Sequence, residues 1–297
     1  MSLLASLHSF LTLLYHKIHI HSESPEWVVF IHGAGGSSAI WFKQIRAFRE
    51  VFNVLLLDLR GHGGSRDHVS VKKPYSLQSV CDDVFEVMDH RKIERAHFIG
   101  VSLGTVLMRS MLKDRSGRIQ SMVMAGAITH LNPWARLLIV LGNAFKHIVP
   151  FRALYASFAF IIMPGPKAKE SRAIFRREAR KVSPAEFRRW LTLTAEIQSK
   201  IPGWRTDAGL TPTLYAMGAH DYIFLPPAKE LAETFSNVSI TVLRGCGHVC
   251  NVEQPELFND IAIGFIQGQG FTRQDDADPA DVRSARSGDH IRGKIIE

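Results

Sequence analysis

Cysteine is scarce. Cys81, Cys246 and Cys250 are the three in 297 residues, an odd set without the paired spacing of a secreted disulfide framework. Free thiols and a reducing, cytoplasmic location are therefore expected. Cys246 and Cys250 flank His248, but Cys-x-His-x-Cys is no zinc spacing and no second ligand pair accompanies it, so no metal is expected. No uninterrupted apolar run reaches the roughly 18 residues that a membrane-crossing helix needs. The nearest stretch, 135–163, is broken by Arg136, Lys146, His147, Pro150 and Arg152. The apolar opening, 1–15, lacks the basic leader and small-x-small site of a secretory signal. No Gly-Lys-Ser or Gly-Lys-Thr phosphate loop occurs, and the net charge of +8 gathers in no nucleic-acid motif, so neither nucleotide hydrolysis nor nucleic-acid binding is expected. Internal repeats are lacking too.

What is present is a globular composition, 46% apolar and 22% charged, able to fill a large core. Apolar spacing predicts a short amphipathic helix over 2–15 and a strand over 16–21. Trp27 to Ile31 is a continuous apolar run that ends in His32-Gly33-Ala34-Gly35-Gly36, the pattern of a buried parallel strand followed by a tight turn. A helix over about 38–49, a strand over 54–57, a Gly-rich loop over 58–65 and a helix over 76–91 capped by Ser76 follow. Then come a strand at 96–99, a helix at 106–113 and a strand at 121–125. The rhythm stops over 128–204, where an apolar, aromatic half precedes a charged helical half. It resumes with strands at 213–217 and 238–243 and a helix at 255–267. Strands alternating with helices predict an α/β fold, a mostly parallel central sheet with helices on both faces. The divisions are 1–127 and 205–267 for the two parts of the core, 128–204 for a helical insertion, and 268–297 for a disordered tail.

Gly100-Val101-Ser102-Leu103-Gly104 falls where a strand ends and a helix begins. A serine on so sharp a turn projects its hydroxyl clear of the backbone, and the flanking glycines remove side chains that would collide. Ser102 is the candidate nucleophile, and the Leu103 amide, at the start of the helix, the first oxyanion donor. A serine hydroxyl needs a base, and the base a carboxylate to orient it. Two late loops supply both: Gly218-Ala219-His220-Asp221 and Gly245-Cys246-Gly247-His248. In a parallel sheet, loops at the carboxyl ends of strands share one edge, so Asp221 and His248 can meet Ser102 from afar. Asp207 and Asp260 are weaker candidates for the acid, and His220 for the base. Ala34, with Gly35 as the alternative, is the second oxyanion donor.

Together, His32-Gly33, the run Asp58-Leu59-Arg60-Gly61-His62-Gly63-Gly64-Ser65, the elbow, Asp221 and His248 resemble the α/β-hydrolase superfamily over about 16–127 and 205–267. The resemblance implies a helical cap, 128–204, inserted after the sixth strand. It makes 58–65 a shaping loop in which Arg60 and His62 are structural, and it puts Trp41 and Val249 in the substrate pocket. Serine rather than aspartate at the elbow argues against epoxide opening and dehalogenation. The expected activity is hydrolysis of apolar carboxylic esters through an acyl-enzyme, without a cofactor. A thioesterase, a carbon-carbon bond hydrolase and a non-catalytic small-ligand receptor on the same scaffold stand as alternatives. A dinucleotide-binding reading of Gly33-Ala34-Gly35 and Asp58 fails at Ser38, where a third Gly or Ala belongs. In the insertion, Trp134, Leu138, Phe145, Phe151, Tyr155, Phe158 and Phe160 are candidates to line a lipophilic pocket. The basic half, 167–189, and the N-terminal helix suggest weak peripheral membrane association at most. Oligomeric state is left open.

Overall fold

The computed structural model describes residues 13–66, 75–145, 148–204 and 209–268. Nearly all of the predicted N-terminal helix and C-terminal tail, and Asp207, lie outside them. Among the described residues seven strands form one sheet: β1 (His16–His19), β2 (Trp27–Ile31), β3 (Asn53–Leu57), β4 (Ala96–Val101), β5 (Ile119–Ala125), β6 (Thr213–Gly218) and β7 (Val238–Leu243). Their order is β1-β3-β2-β4-β5-β6-β7. The edge strand β1 runs antiparallel to β3, and every other pair is parallel.

Parallel strands are buried on both faces, which is why β3 reads as the unbroken run Val54-Leu55-Leu56-Leu57. The pleat divides each strand between two cores. On β2, Val29 and Ile31 enter one apolar cluster, Val28 and Phe30 the other. Helices α1 (Ile45–Arg49), α2 (Leu77–His90) and α3 (Leu103–Arg115) belong to the first half of the chain. Ser76 caps α2 as expected: its hydroxyl accepts from Ser79 N–H at 3.1 Å, and the Ser79 hydroxyl accepts from Ser76 N–H at 3.1 Å.

Between β5 and β6 the described residues form four helices, α4 (Pro133–Phe145), α5 (Phe151–Ile162), α6 (Lys169–Ala179) and α7 (Pro184–Trp204). Among the described residues this segment follows the fifth strand, not the sixth, because β1 alone precedes β2 and the link 20–26 holds no further strand. The last part adds α8 (Leu225–Thr234), α9 (Cys250–Glu253) and α10 (Pro255–Ile266). The helix predicted over 38–49 is also divided: a 3₁₀ turn at Ser38–Trp41 precedes α1. Ser38 N–H donates to Asp58 Oδ1 at 2.6 Å and Ala39 N–H to Ser37 Oγ at 3.3 Å. Those bonds pin the entry and turn Trp41 onto Phe30, ring centroids 5.0 Å apart. Strands β3 and β4 leave β2 on opposite sides, and the crevice at that switch is where α/β sheets bind ligands.

Candidate active site

At the carboxyl end of β4 the backbone turns sharply into α3. Ser102 sits at that corner with φ 54 and ψ −118, a left-handed conformation that a residue with a Cβ rarely adopts. Close packing holds it there. A methyl on Gly104 would collide with Ile31 O, and one on Gly33 would stand 3.2 Å from Ser102 Cβ. Ser102 N–H donates to Ala125 O at 3.0 Å, and the Thr105 hydroxyl donates to Ser102 O at 2.7 Å. The corner is thus tied to β5 and to the first turn of α3.

From the ends of β6 and β7, Asp221 and His248 come together. His248 Nδ1–H donates to Asp221 Oδ2 at 2.7 Å, which fixes the tautomer and leaves Nε2 as the free acceptor. Asp221 Oδ1 accepts from Phe224 N–H at 3.1 Å, and the Phe224 ring lies 5.0 Å from the imidazole. Both side chains are buried, and His248 Nε2 has no hydrogen-bond partner among the described residues. A buried nitrogen left without a partner is costly unless the site uses it. His220 takes no part: it is exposed, and its N–H ties the two loops by donating to Cys246 O at 2.9 Å. Asp260 stands on α10, outside the cavity lining.

Ser102, Leu103, His248, Val249, Gly33 and Ala34 line one cavity of about 240 Å³. The Leu103 amide opens α3, so it has no acceptor within its own helix. Ala34 and Gly35 differ in what their amides meet. Gly35 N–H donates to His62 Nε2 at 3.0 Å, whereas the Ala34 amide has no acceptor among the described residues. Trp41 is a correction: it is fully buried between β2 and α1, and its neighbour Ile40 lines the cavity instead. In the 3₁₀ turn consecutive side chains stand about 120° apart, so Ile40 and Trp41 share an apolar cluster while Ile40 alone of the two reaches the cavity.

The loop 58–65 is held by polar groups that take no place in the cavity. Asp58 Oδ2 accepts from Gly64 N–H at 2.7 Å. Arg60 meets Asp83 in a buried two-point pair, Nε to Oδ2 at 2.7 Å and Nη2 to Oδ1 at 2.8 Å. His32 and His62, ring centroids 5.1 Å apart, each donate from Nδ1 to a nearby carbonyl, Gly33 O and Arg60 O, and each accept a backbone N–H at Nε2. Burial lowers both below the ordinary histidine value, and the neighbouring His32 contributes to bringing His62 to about 3. Burial likewise pushes the Cys246 thiol up to about 12, and Cys81, Cys246 and Cys250 are free and buried.

Helices α4 to α7 complete the cavity. Leu138, Tyr155 and Phe158 line it, as expected, while Trp134, Phe145 and Phe160 face outward and Phe151 packs behind Tyr155 and Phe187. Acids that sequence reasoning missed hold these helices to the core. The Ser37 hydroxyl donates to Glu178 Oε2 at 2.7 Å, and the Tyr75 hydroxyl to Glu186 Oε2 at 2.9 Å. Glu253 accepts from Gly247 N–H at 2.8 Å, beside His248, and from the Ser171 hydroxyl of α6 at 3.0 Å. Burial pushes the Glu178 carboxyl up, but hydrogen bonds from Lys181, Ser37 and Arg177 outweigh it and hold the group below its ordinary value. The signal for Glu178 was its helical phase: it shares a buried face with Ser171 and Ile174 inside an otherwise basic stretch.

A family model described as the alpha/beta hydrolase fold matches residues 26–255. A RutD protein of Caulobacter sp. (strain K31), named as a candidate carbamate hydrolase, is 25% identical over 267 residues, spanning 86% of this chain and 96% of its own. The 3-oxoadipate enol-lactonase 1 of Acinetobacter baylyi is 25% identical over 251 residues, spanning 82% and 90%. Among solved structures, the enol-lactonase from Burkholderia xenovorans LB400 superposes with a TM-score of 0.73 at 21% identity, covering 86% of this chain and 96% of that one. A thermophilic esterase from Thermogutta terrifontis gives 0.73 at 17% identity, with 86% and 93% covered. At these identities the structural likeness speaks for the fold.

Proposed function

Because this chain belongs to the α/β-hydrolase fold family, and so to a family of hydrolases, we propose that it is a serine hydrolase cleaving carboxylic esters of apolar character through an acyl-enzyme. The observation that carries the reading is the 2.7 Å bond from His248 Nδ1 to Asp221 Oδ2, with Nε2 unpartnered and the imidazole lining the same cavity as Ser102. Ser102 Oγ attacks the ester carbonyl carbon while His248 Nε2 takes its proton, and the carboxylate of Asp221 stabilises the imidazolium. The carbonyl oxygen becomes an oxyanion, for which this reading takes the amides of Ala34 and Leu103 as donors. As the tetrahedral species collapses, the alcohol leaves with the proton from Nε2. Water then gives a proton to Nε2, attacks the acyl-enzyme, and the acid departs as Ser102 regains its hydrogen.

The chemistry of the cavity wall favours an apolar ester over the carbamate named for the RutD relative. Leu138, Ile139, Leu154, Phe158, Leu191 and Ile197 form much of it. Two of its polar side chains are committed elsewhere, Glu178 to Ser37, Lys181 and Arg177, and Thr194 to Leu191 O at 2.5 Å, which leaves the Tyr155 hydroxyl as the polar group of the wall without a hydrogen bond among the described residues. A polar substrate arm would find few bonds there to replace those it makes with water. On this reading, 128–204 is a cap that sets substrate choice, and three buried free thiols suit a reducing cytoplasm. A panel of chromogenic esters of graded acyl length tests the proposal. Turnover is expected to rise with acyl length before the cavity fills, and Ser102→Ala is expected to lose about 10⁴-fold or more. A Ser102→Ala protein that keeps wild-type turnover and still reacts with a fluorophosphonate probe refutes it.

A further inference from the structure

Helix α4 is apolar around nearly its whole circumference, yet it lies on the surface. Its inner face, with Ala135, Leu138, Ile139 and Gly142, lines the cavity. Its outer face carries Trp134 (69% exposed), Leu137 (44%), Val140 (60%), Leu141 (41%) and Phe145 (44%). Positions 134, 137, 141 and 145 follow one another at three- and four-residue intervals, so they form one stripe. A surface helix ordinarily turns charged residues outward, and a contiguous exposed apolar patch marks a surface that binds something. No helix among the described residues is long and apolar enough to cross a membrane.

The charge around the stripe selects the partner. No acidic residue occurs between Asp114 and Glu170. Arg136 on α4 and Arg152 at the start of α5 are both exposed. An apolar stripe whose own segment carries cations and no acid matches an anionic lipid interface, where Trp and Leu enter the acyl boundary and Arg meets phosphate. A second copy of this chain, docked face to face, would oppose arginine to arginine with no acid in the segment to answer them.

We propose that the outer face of α4 seats this protein peripherally on an anionic lipid surface, through Trp134, Leu137 and Val140 with Arg136 and Arg152 at the rim. The assignment goes beyond the hydrolase reading and does not rest on it. It also moves the membrane-facing surface from the basic half of the insertion to its apolar half.

The test is flotation of the full chain with vesicles of mixed phosphatidylcholine and phosphatidylglycerol, beside vesicles of phosphatidylcholine alone. The protein is expected to float with the mixed vesicles, less with phosphatidylcholine, and less again in high salt. Neither Leu137 nor Val140 lines the cavity. Leu137→Glu with Val140→Glu is expected to lower flotation about 10-fold or more while leaving the thermal melt and soluble-ester turnover unchanged. Should that variant unfold, Arg136→Glu with Arg152→Glu serves instead, and is expected to abolish the preference for phosphatidylglycerol. Wild-type protein that floats with neither vesicle overturns the proposal, as does a folded variant that floats like wild type. So does a dimer in sedimentation that the double Glu variant dissolves while vesicles bind neither protein. Because fold retention is read from the melt, a protein that floats but cleaves no ester would sink only the hydrolase reading.

Discussion

Replacing His62 by Gln is expected to cost stability at neutral pH and to return part of it in acid. His62 is 1% exposed and bridges two loops, accepting Gly35 N–H at Nε2 and donating Nδ1–H to Arg60 O at 3.0 Å. It fills that role only when neutral, because a second ring proton would face the Gly35 donor. Its pKa accordingly falls from the ordinary 6.5 to about 3, mainly through burial. Unfolded chains therefore bind a proton that folded chains refuse. The stabilisation is complete above pH 6.5 and drains as pH falls through the window down to about 3. The whole window is worth about 5 kcal/mol, of which about 2 kcal/mol is gone by pH 5. Glutamine does not titrate and restores the two bonds imperfectly, so a loss of about 1–3 kcal/mol is expected at pH 7.5. In urea unfolding at pH 7.5 and pH 5, wild type should lose about 2 kcal/mol more than the variant between the two conditions. Equal losses in the two proteins would refute the reasoning. His32, whose pKa burial also lowers, continues the acid sensitivity in the variant and makes its residual slope non-zero.

Glu253→Gln should lower kcat about 10- to 100-fold with little change in KM, measured on a soluble ester, because the tether from Gly247 to Ser171 orients the His248 loop without lining the cavity. Gly126→Ala should cut turnover by a similar factor and destabilise by about 1–3 kcal/mol in thermal unfolding: Gly126 has φ +52, and a methyl there collides with the His248 carbonyl and stands 2.9 Å from its Nδ1.

The pieces of this site that were legible in the sequence are those encoded by neighbours along the chain. The elbow announced itself because a strand, two glycines and a helix start are local features, and the conformation of Ser102 is what that pattern demands. Asp221 and His248 could be paired because each follows a strand, and parallel strands bring their ends to one edge. Misreadings arose where side-chain direction depends on a local change of helix type or on distant partners. The resemblance puts Trp41 in the pocket, but in the 3₁₀ turn it packs on Phe30 while its neighbour Ile40 lines the cavity. The aromatic residues of the insertion were legible as a group, not face by face, since helical phase has no origin until a partner is known. Tyr155 and Trp134 lie on neighbouring helices, one buried in the cavity wall and one facing out. Glu178 meets Ser37 across 141 positions, and no local pattern records such a pairing.

Those distant acids explain how an apolar cavity acquires a definite shape. Hydrophobic contact is non-directional, so a helical segment resting on the sheet by apolar faces alone could slide at little cost. The polar contacts remove that freedom. Glu178 on α6 takes the Ser37 hydroxyl together with Lys181, and Glu186 on α7 takes the Tyr75 hydroxyl together with Arg189. On the same helix, Trp190 Nε1–H donates to Arg60 O at 3.1 Å. Shifting α6 or α7 by one position would break the bond from Ser37 or Tyr75 to a largely buried carboxylate, and a hydrogen bond to a charged group is worth about 1.5–3 kcal/mol. Three of the ties end on loops near the site: Ser37 follows the Ala34 loop, Arg60 stands in the loop that holds His62, and Gly247 precedes His248. The residues that shape the cavity are therefore fastened to the same loops that hold the reacting groups, and a displacement of the insertion is felt at the imidazole through Ser171 and Glu253.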